Sequence, residues 1–531
     1  MRKTPRRTVA RTPLHDPVAV VDIGSNSGRM IVFRLREGEH LDVLEDARAP
    51  LRLARDLRDS DELGADAIER TVEALRDFIA VAEGAGAERI IAVATSAVRD
   101  AADGEELVAR ARRLGVPLQT IDGDHEARLG FLGAVHDLPV RSGFTMDIGG
   151  GSVELSRFNE RHLVRSWSLP LGSLRVSDRF LETDPPADKE LRALRKAVSG
   201  ALDHGGITEL ARGESLVGIG GTVRNLAKVD LKRIEYPMPL LHGYRLPEKR
   251  LADLIDDLAA RTMKRRAQTP GLNPDRADTI VGGALVADGI ARHVGASEIV
   301  VSSRGLREGL ALQTGAGGNV PPADWVRTIS VATLAARFAT WDAHIAERRA
   351  GLALHLHSTI DPSVPASVRE MLEHAATILD VGRAIDYYDR FEHAAMIVMA
   401  ADLAGFSHAN LGALTAILRQ ADDDTRLGPY GRLVEDEDRT AVLRAATTLA
   451  LADELNRRIP PGAAAPLSCN WLRGGFEVVA PVPSGWKPRG VADRFQRVFG
   501  KPLLVVANET VASLAPAPGR DEHVAPASGI E

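Results

Sequence analysis

Apolar residues fall along this chain in two alternating patterns. "VAVVDIG" at 18–24 is an unbroken apolar run closed by a Gly/Ser turn, and "RMIVFRL" at 29–35 is another, which predicts a strand hairpin. Ile68, Val72, Leu75 and Ile79 then recur at helical spacing, with Asp66 at the expected N-cap. Strands are expected at 89–95 and 116–121, and helices at 105–114 and 126–135. At Gly143 the order starts again: a strand at 143–148, a Gly-rich turn, a second strand, then helices. Further strands are expected at 215–220 and 298–302. The helix between them, 277–293, puts Ile280, Ala284, Ala287 and Ala291 on one face.

"GAGGNVPPAD" at 315–324 reads as a linker. Beyond it the period is helical, over 325–349, 364–381, 391–403 and 411–420. From 441 a helix leads into a strand–helix–strand unit built on "GGFEVVAPV", "VADRFQRVFG" and "KPLLVVA". The expected organisation is therefore a basic arm (1–17), two α/β lobes (18–139 and 140–318), a helical domain (322–440), a small α+β unit (441–512) and a tail (513–531).

Length agrees, since 531 residues exceed what one core supports. Net charge of −6 argues against a general nucleic-acid binder. One cysteine, Cys469, rules out an intramolecular disulfide framework and suits a reducing cytoplasm. No apolar run is long enough to span a bilayer, so a cytoplasmic protein is expected. The first residues, "MRKTPRRTVARTP", carry five positive charges without the apolar centre of a signal peptide and read as disordered, as does the tail.

Chemistry enters with a repetition. "VVDIGSNSGRMIVF" (20–33) and "TMDIGGGSVELSRF" (145–158) both carry Asp-Ile-Gly, a Ser five residues after the Asp and a Phe eleven after it. This is the mark of an internal duplication 125 residues apart. A Gly/Ser turn lets backbone N–H groups approach phosphate oxygens. The Asp at the strand end needs a cation between itself and a phosphate, and Mg²⁺ is the natural one. Each loop alone is equally a plain turn; two facing loops would clamp a phosphate chain. "LVGIGGTVRNLA" offers a helix N-terminus at Gly221 and Thr222, either an anion site or a tight connection.

Six motifs in order, "DIGSNS", "ATSAVRDA", "GDHEARLG", "DIGGGSVE", "GIGGT" and "GLREGL", resemble the signatures of the exopolyphosphatase / guanosine-pentaphosphate phosphohydrolase (Ppx/GppA) phosphatase family over about 18–314. The resemblance implies an α/β fold of the actin/Hsp70/sugar-kinase type, with two duplicated ribonuclease-H-like lobes and the site in the cleft. It implies Mg²⁺-dependent hydrolysis of terminal phosphate from inorganic polyphosphate, with guanosine pentaphosphate as the alternative substrate, and a homodimer.

By the same resemblance Glu126 is the general base that activates water, although its position equally suits a helix first turn capped by Asp124. Asp122 and Asp124 are expected to raise its basicity. Asp147 and Glu154 match the magnesium carboxylates, with Asp22 in a water-mediated role. Ser25, Asn26, Ser27, Gly149, Gly150, Gly151, Ser152, Gly221 and Thr222 would bind phosphate. Arg99 matches a cleft arginine, and Arg175 is a weaker candidate. His125 stands where the family often has a second acid.

The helical stretch resembles HD-type phosphohydrolases, but Leu379-Asp380 replaces the His-Asp pair and "LRQADDDT" replaces a basic stretch. His355, His357, His374 and His393 are scattered, so neither a metal nor a second active site is expected there. Two readings of other classes stay open: an ATP-dependent kinase of the same superfold, and a non-catalytic polyphosphate or alarmone sensor.

Overall fold

In the central strand β1 (Val18–Ile23), Ala19, Val20, Val21 and Ile23 are all buried, as a strand covered on both faces requires. The computed structural model describes residues 16–36, 40–57, 60–459 and 467–508, so most of the expected arm and the whole expected tail lie outside the described residues. β1 pairs antiparallel with β2 (Ser27–Arg36), and β2 with β3 (His40–Pro50). On its other side β1 runs parallel to β4 (Arg89–Ala94), which is followed by β5 (Leu118–Thr120). The sheet order is β3-β2-β1-β4-β5.

The second sheet repeats this design. It contains β6 (Gly143–Ile148), β7 (Val153–Asn159), β8 (His162–Leu169), β9 (Ser215–Ile219), β10 (Arg245–Pro247) and β11 (Glu298–Val301), in the order β8-β7-β6-β9-β11-β10. Only the antiparallel edge strand β10 is extra. The register is duplicated too: Asp22 faces Arg29 across the first hairpin, and Asp147 faces Glu154 across the second. These are two ribonuclease-H-like lobes of the actin/Hsp70/sugar-kinase type.

β3 and β8 were not expected from the pattern. Both are edge strands with exposed polar positions such as Glu45, Asp46 and Arg165, which break the apolar run. Other expectations need correction. The helix Ala65–Gly84 starts after Gly64, and Asp66 sits inside its first turn. The helix Gly123–His136 is capped by Asp122, whose carboxylate accepts from His125 N at 2.8 Å, and not by Asp124. The helix Leu306–Ala316 runs into the expected linker and stops at Gly317. The single helix expected over 325–349 is two, Ala323–Ala335 and Ala343–Ile360, because Asp342 caps the second by accepting from Ile345 N (2.9 Å).

The chain divides into two compact units: residues up to 338 with 396–412 and 429–434, and residues 339–395, 413–428 and 435 onward. The second contains a three-stranded sheet, β12 (Ser468–Leu472), β13 (Gly475–Ala480) and β14 (Leu503–Ala507), with the helix Arg489–Phe499 between β13 and β14. β12 is the strand that the pattern did not give. Among the described residues, no helix is long and apolar enough to cross a membrane.

Candidate active site in the interlobe cleft

The two duplicated turns face one another in the first unit. Asp22, Ser25, Asn26 and Ser27 from one lobe and Asp147, Gly149, Gly150 and Ser152 from the other line a single cleft, together with Glu126 and Gly221. The turns touch: a Cβ on Gly150 would lie 3.1 Å from Ser25 Cβ. The helix Ser173–Phe180 ties off the second turn, with Ser173 N donating to Gly149 O (2.9 Å) and Leu174 N to Gly150 O (3.0 Å). Gly220, at φ +85, lies so close to Asp147 Oδ1 that a side chain there would displace that carboxylate, besides being strained.

The acids are held in an unusual state. Burial raises Asp22 to about 6 against the pull of Arg307 and Arg29, and raises Asp147 against Arg224, Arg276 and Arg29. Glu154, only 2 % exposed, is pushed up to about 7 by burial, although Ser152 and Ser168 hydrogen bonds oppose the rise. Burial, then the charges of Glu154, Asp147 and Asp22, holds Glu126 well above the usual carboxylate range. Asp122 and Asp124 are not among the leading causes, contrary to expectation; Asp122 is the helix cap, and Asp124 accepts from Ser166 Oγ (3.1 Å).

Asp22 Oδ1 and Glu126 Oε2 are shielded from water and have no hydrogen-bond partner. Among the described residues, no three His, Cys, Asp or Glu side chains close around one point as a metal-ligand set. Desolvated carboxylates with free oxygens still fit a hard divalent cation that completes its shell with water and substrate oxygens.

Sequence reasoning missed most of the cations. Arg29, Arg224, Arg276, Arg304 and Arg307 line the cleft with Glu308, Thr95 and Ser96. Arg224 is fixed through Gly220 O (3.1 Å) and Ser303 O (3.0 Å), and Arg307 pairs with Asp46 (3.2 Å). Arg276 fills the space beside Gly221 where a side chain would stand. Four had a signal, since Arg29, Arg224 and Arg307 lie within the repeated and family motifs and Arg304 directly precedes "GLREGL"; "NPDRAD" around Arg276 had none.

Five of the expected residues, Arg99, Gly151, Glu154, Arg175 and Thr222, lie off the cleft surface. Arg99 donates to Ile121 O (2.9 Å) and Asp100 (3.2 Å), and its charge acts on Glu126 and Glu154. Glu154 accepts from Ser168 Oγ (3.0 Å). Thr222 is buried against Gly283. Gly151 lines an adjoining pocket with Ser25, Ser96 and Arg175. His125 Nε2 lies 3.3 Å from Gln313 Oε1.

Residues 31–315 match the profile of the Ppx/GppA phosphatase family, and residues 326–482 match Ppx/GppA phosphatase, domain III. The chain belongs to this family. Among Ppx/GppA relatives, Exopolyphosphatase 1 of Mycobacterium tuberculosis is 32% identical over 305 residues, covering 56% of this chain and 87% of that protein. Exopolyphosphatase 2 of the same organism is 33% identical over 314 residues, covering 56% and 97%. The crystal structure of the Aquifex aeolicus Ppx/GppA family member superposes at TM-score 0.51 with 25% identity, over 57% of this chain and 98% of that one. An exopolyphosphatase from Cytophaga hutchinsonii, 24% identical over 57% and 99%, shares the fold at TM-score 0.53.

In the second unit of this Ppx/GppA chain, Asp380 lies in the short turn Leu379–Ala384. Arg349, 1 % exposed, donates to Asp380 Oδ2 (2.8 Å) and to Ala376 O (2.8 Å), and lies 3.4 Å from Asp453 Oδ1. Arg390 donates to Asp453 Oδ2 (2.6 Å). His357 Nδ1 is 3.3 Å from Thr448 Oγ1, and burial lowers this imidazole to about 4. His374 is buried 3.6 Å from Glu370, whereas His355 is exposed.

Proposed function

We propose that the chain is a Mg²⁺-dependent exopolyphosphatase that removes terminal phosphate from inorganic polyphosphate with a Glu126-activated water. The observation that carries this reading is the gathering of unpaired carboxylates and arginines around two Gly-rich turns in one cleft. The names of the mycobacterial relatives agree with it.

The turns Ser25–Ser27 and Gly149–Ser152 hold phosphate oxygens through N–H and hydroxyl groups, and Arg29, Arg224 and Arg307 neutralise their charge. Asp147 would hold Mg²⁺, with Asp22 acting through a bound water and Glu154 supporting from behind the cleft surface; the ion would supply charge stabilisation for the oxygens of the reacting phosphorus. The water oxygen attacks the terminal phosphorus, its proton passes to the Glu126 carboxylate, and the P–O bond to the rest of the chain breaks. A raised pKa makes Glu126 a stronger base once it is ionised, and the nearby Arg99 helps keep it ionised.

The test is phosphate release measured side by side on long polyphosphate, guanosine pentaphosphate and ATP, with and without Mg²⁺. Release from polyphosphate only with Mg²⁺ is expected. Preference for guanosine pentaphosphate, or phosphorylation of an acceptor from ATP without free phosphate, overturns the reading.

A further inference from the structure

Arg304 stands apart from the other cleft arginines. Arg29, Arg224, Arg276 and Arg307 are the leading cations acting on Asp22 or Asp147, and Arg99 acts on Glu126 and Glu154; Arg304 is among the leading charges on none of these acids. Its own partners are Asp137, whose Oδ2 is 3.1 Å from Nε, and Asp402, whose Oδ2 is 3.2 Å from Nη2.

These two acids differ. Asp137 is buried at the end of the helix that carries Glu126, and His136 Nδ1 lies 2.5 Å from it. Burial pushes its carboxyl up, yet His136 and Arg304 hold it far below the usual range. The backbone on either side is pinned as well. His242 donates from Nε2 to Asp137 O (3.1 Å) and accepts at Nδ1 from Ser303 N (3.3 Å). Arg304 thus has a buried charge partner behind it in Asp137, and its guanidinium donates from Nη2 to Asp402 Oδ2 (3.2 Å).

Asp402 sits at φ +46 on the loop 401–407, between the helices Arg390–Ala400 and His408–Asp422, with its side chain 44% exposed. The loop is docked by Gly405 N donating to Asp137 O (2.7 Å) and, just beyond it, by His408 Nε2 donating to His242 O (3.0 Å). This half-exposed carboxylate puts negative charge directly on an arginine that lines a cleft receiving an anion.

We propose that Arg304 is an outer phosphate subsite, for a unit of the chain away from the carboxylate centre, and that Asp402 competes with that phosphate for the guanidinium. The loop 401–407 then sets the affinity for long chains while leaving short ones to the inner arginines. This rests on reading the cleft as a phosphate site.

The experiment is calorimetric binding of pyrophosphate and of long polyphosphate to wild type, Asp402→Asn, Arg304→Gln and the double variant. Asn tolerates the left-handed backbone, so the first variant keeps its fold. Removing this partly exposed partner from Arg304 should tighten long-chain binding about two- to fivefold and leave pyrophosphate unaffected. KM for polyphosphate should fall by the same factor with no matching rise in kcat. Arg304→Gln should weaken the long chain and erase the effect of Asp402→Asn. If wild type binds neither ligand, the phosphate reading of the cleft fails and this inference with it. If it binds both, the inference alone is overturned by any of three results: no tightening, equal tightening of pyrophosphate, or a gain that persists in the Arg304→Gln background.

Discussion

Two clusters of buried carboxylates and guanidiniums in this molecule have opposite outcomes. In the cleft, Asp22 and Glu126 keep buried oxygens without partners, and four acids are held above their usual range. In the helical unit, Arg349 and Arg390 close directly on Asp380 and Asp453. Burying an unpaired charge is destabilising, so the first arrangement is tolerated where something from solution completes it. In the second, the acids are met by arginines of the same unit. One cluster is built to receive charge and the other to hold three helices and a turn together.

Changing the chemistry of the first cluster should have the largest effect. Glu126→Gln is expected to lower kcat by roughly 10²–10⁴-fold, the range for loss of a general base. Polyphosphate binding, measured by calorimetry, should persist. Near-normal release would place the base elsewhere.

Breaking the second cluster should act on stability instead. Arg349→Ala leaves Asp380 and Asp453 buried without their shared partner and should cost about 3–5 kcal/mol. Urea denaturation with hydrogen exchange should locate the loss in the helical unit. Arg349→Met together with Asp380→Leu should recover most of it, because an apolar pair of similar volume removes the unmet charge.

The two regions also answer pH with opposite sign. Asp22 and Glu154 are raised to about 6 and about 7, so in metal-free protein their contribution to stability is present below about pH 4 and is lost as pH rises through 6–7. His357 is lowered to about 4, so its contribution is present above about pH 6.5 and is lost as pH falls toward 4. Local opening measured by hydrogen exchange should therefore increase toward pH 8 around β1 and β7 and toward pH 4 around Ala343–Ile360. Mg²⁺ should restore the cleft at pH 8 and change little at pH 5; an equal effect at both would sink the assignment of the cation to these acids.

Much of the first unit was legible because duplication wrote it twice. Two Asp-Ile-Gly turns fixed the hairpins, and through them the equivalent cleft positions of Asp22 and Asp147. The cleft arginines were less visible. Arg29 occupies the hairpin position that Glu154 occupies in the other lobe, so the two copies diverged in charge where the repeat looked identical in pattern. Arg276 reaches the cleft from a segment outside every motif, and no local spacing announces that. β3 and β8 were hidden because an edge strand tolerates polar residues on its open side.

Asp122 gives the smallest effect and the finest discrimination, because sequence and structure assign it different work. As a charge it would tune Glu126; as a cap it only holds the first turn of the helix on which Glu126 stands. Asp122→Ala should remove about 1 kcal/mol of stability, a Tm drop of about 2–4 °C, with kcat reduced less than tenfold. Asp122→Asn should restore both, since Asn caps as well as Asp while carrying no charge. Under the capping account, the pH–rate profile of both variants coincides with that of wild type. If the acidic limb moves in Asp122→Asn although the Tm is recovered, the charge at 122 reaches Glu126 after all, and burial with Glu154, Asp147 and Asp22 is an incomplete account of how this base is set.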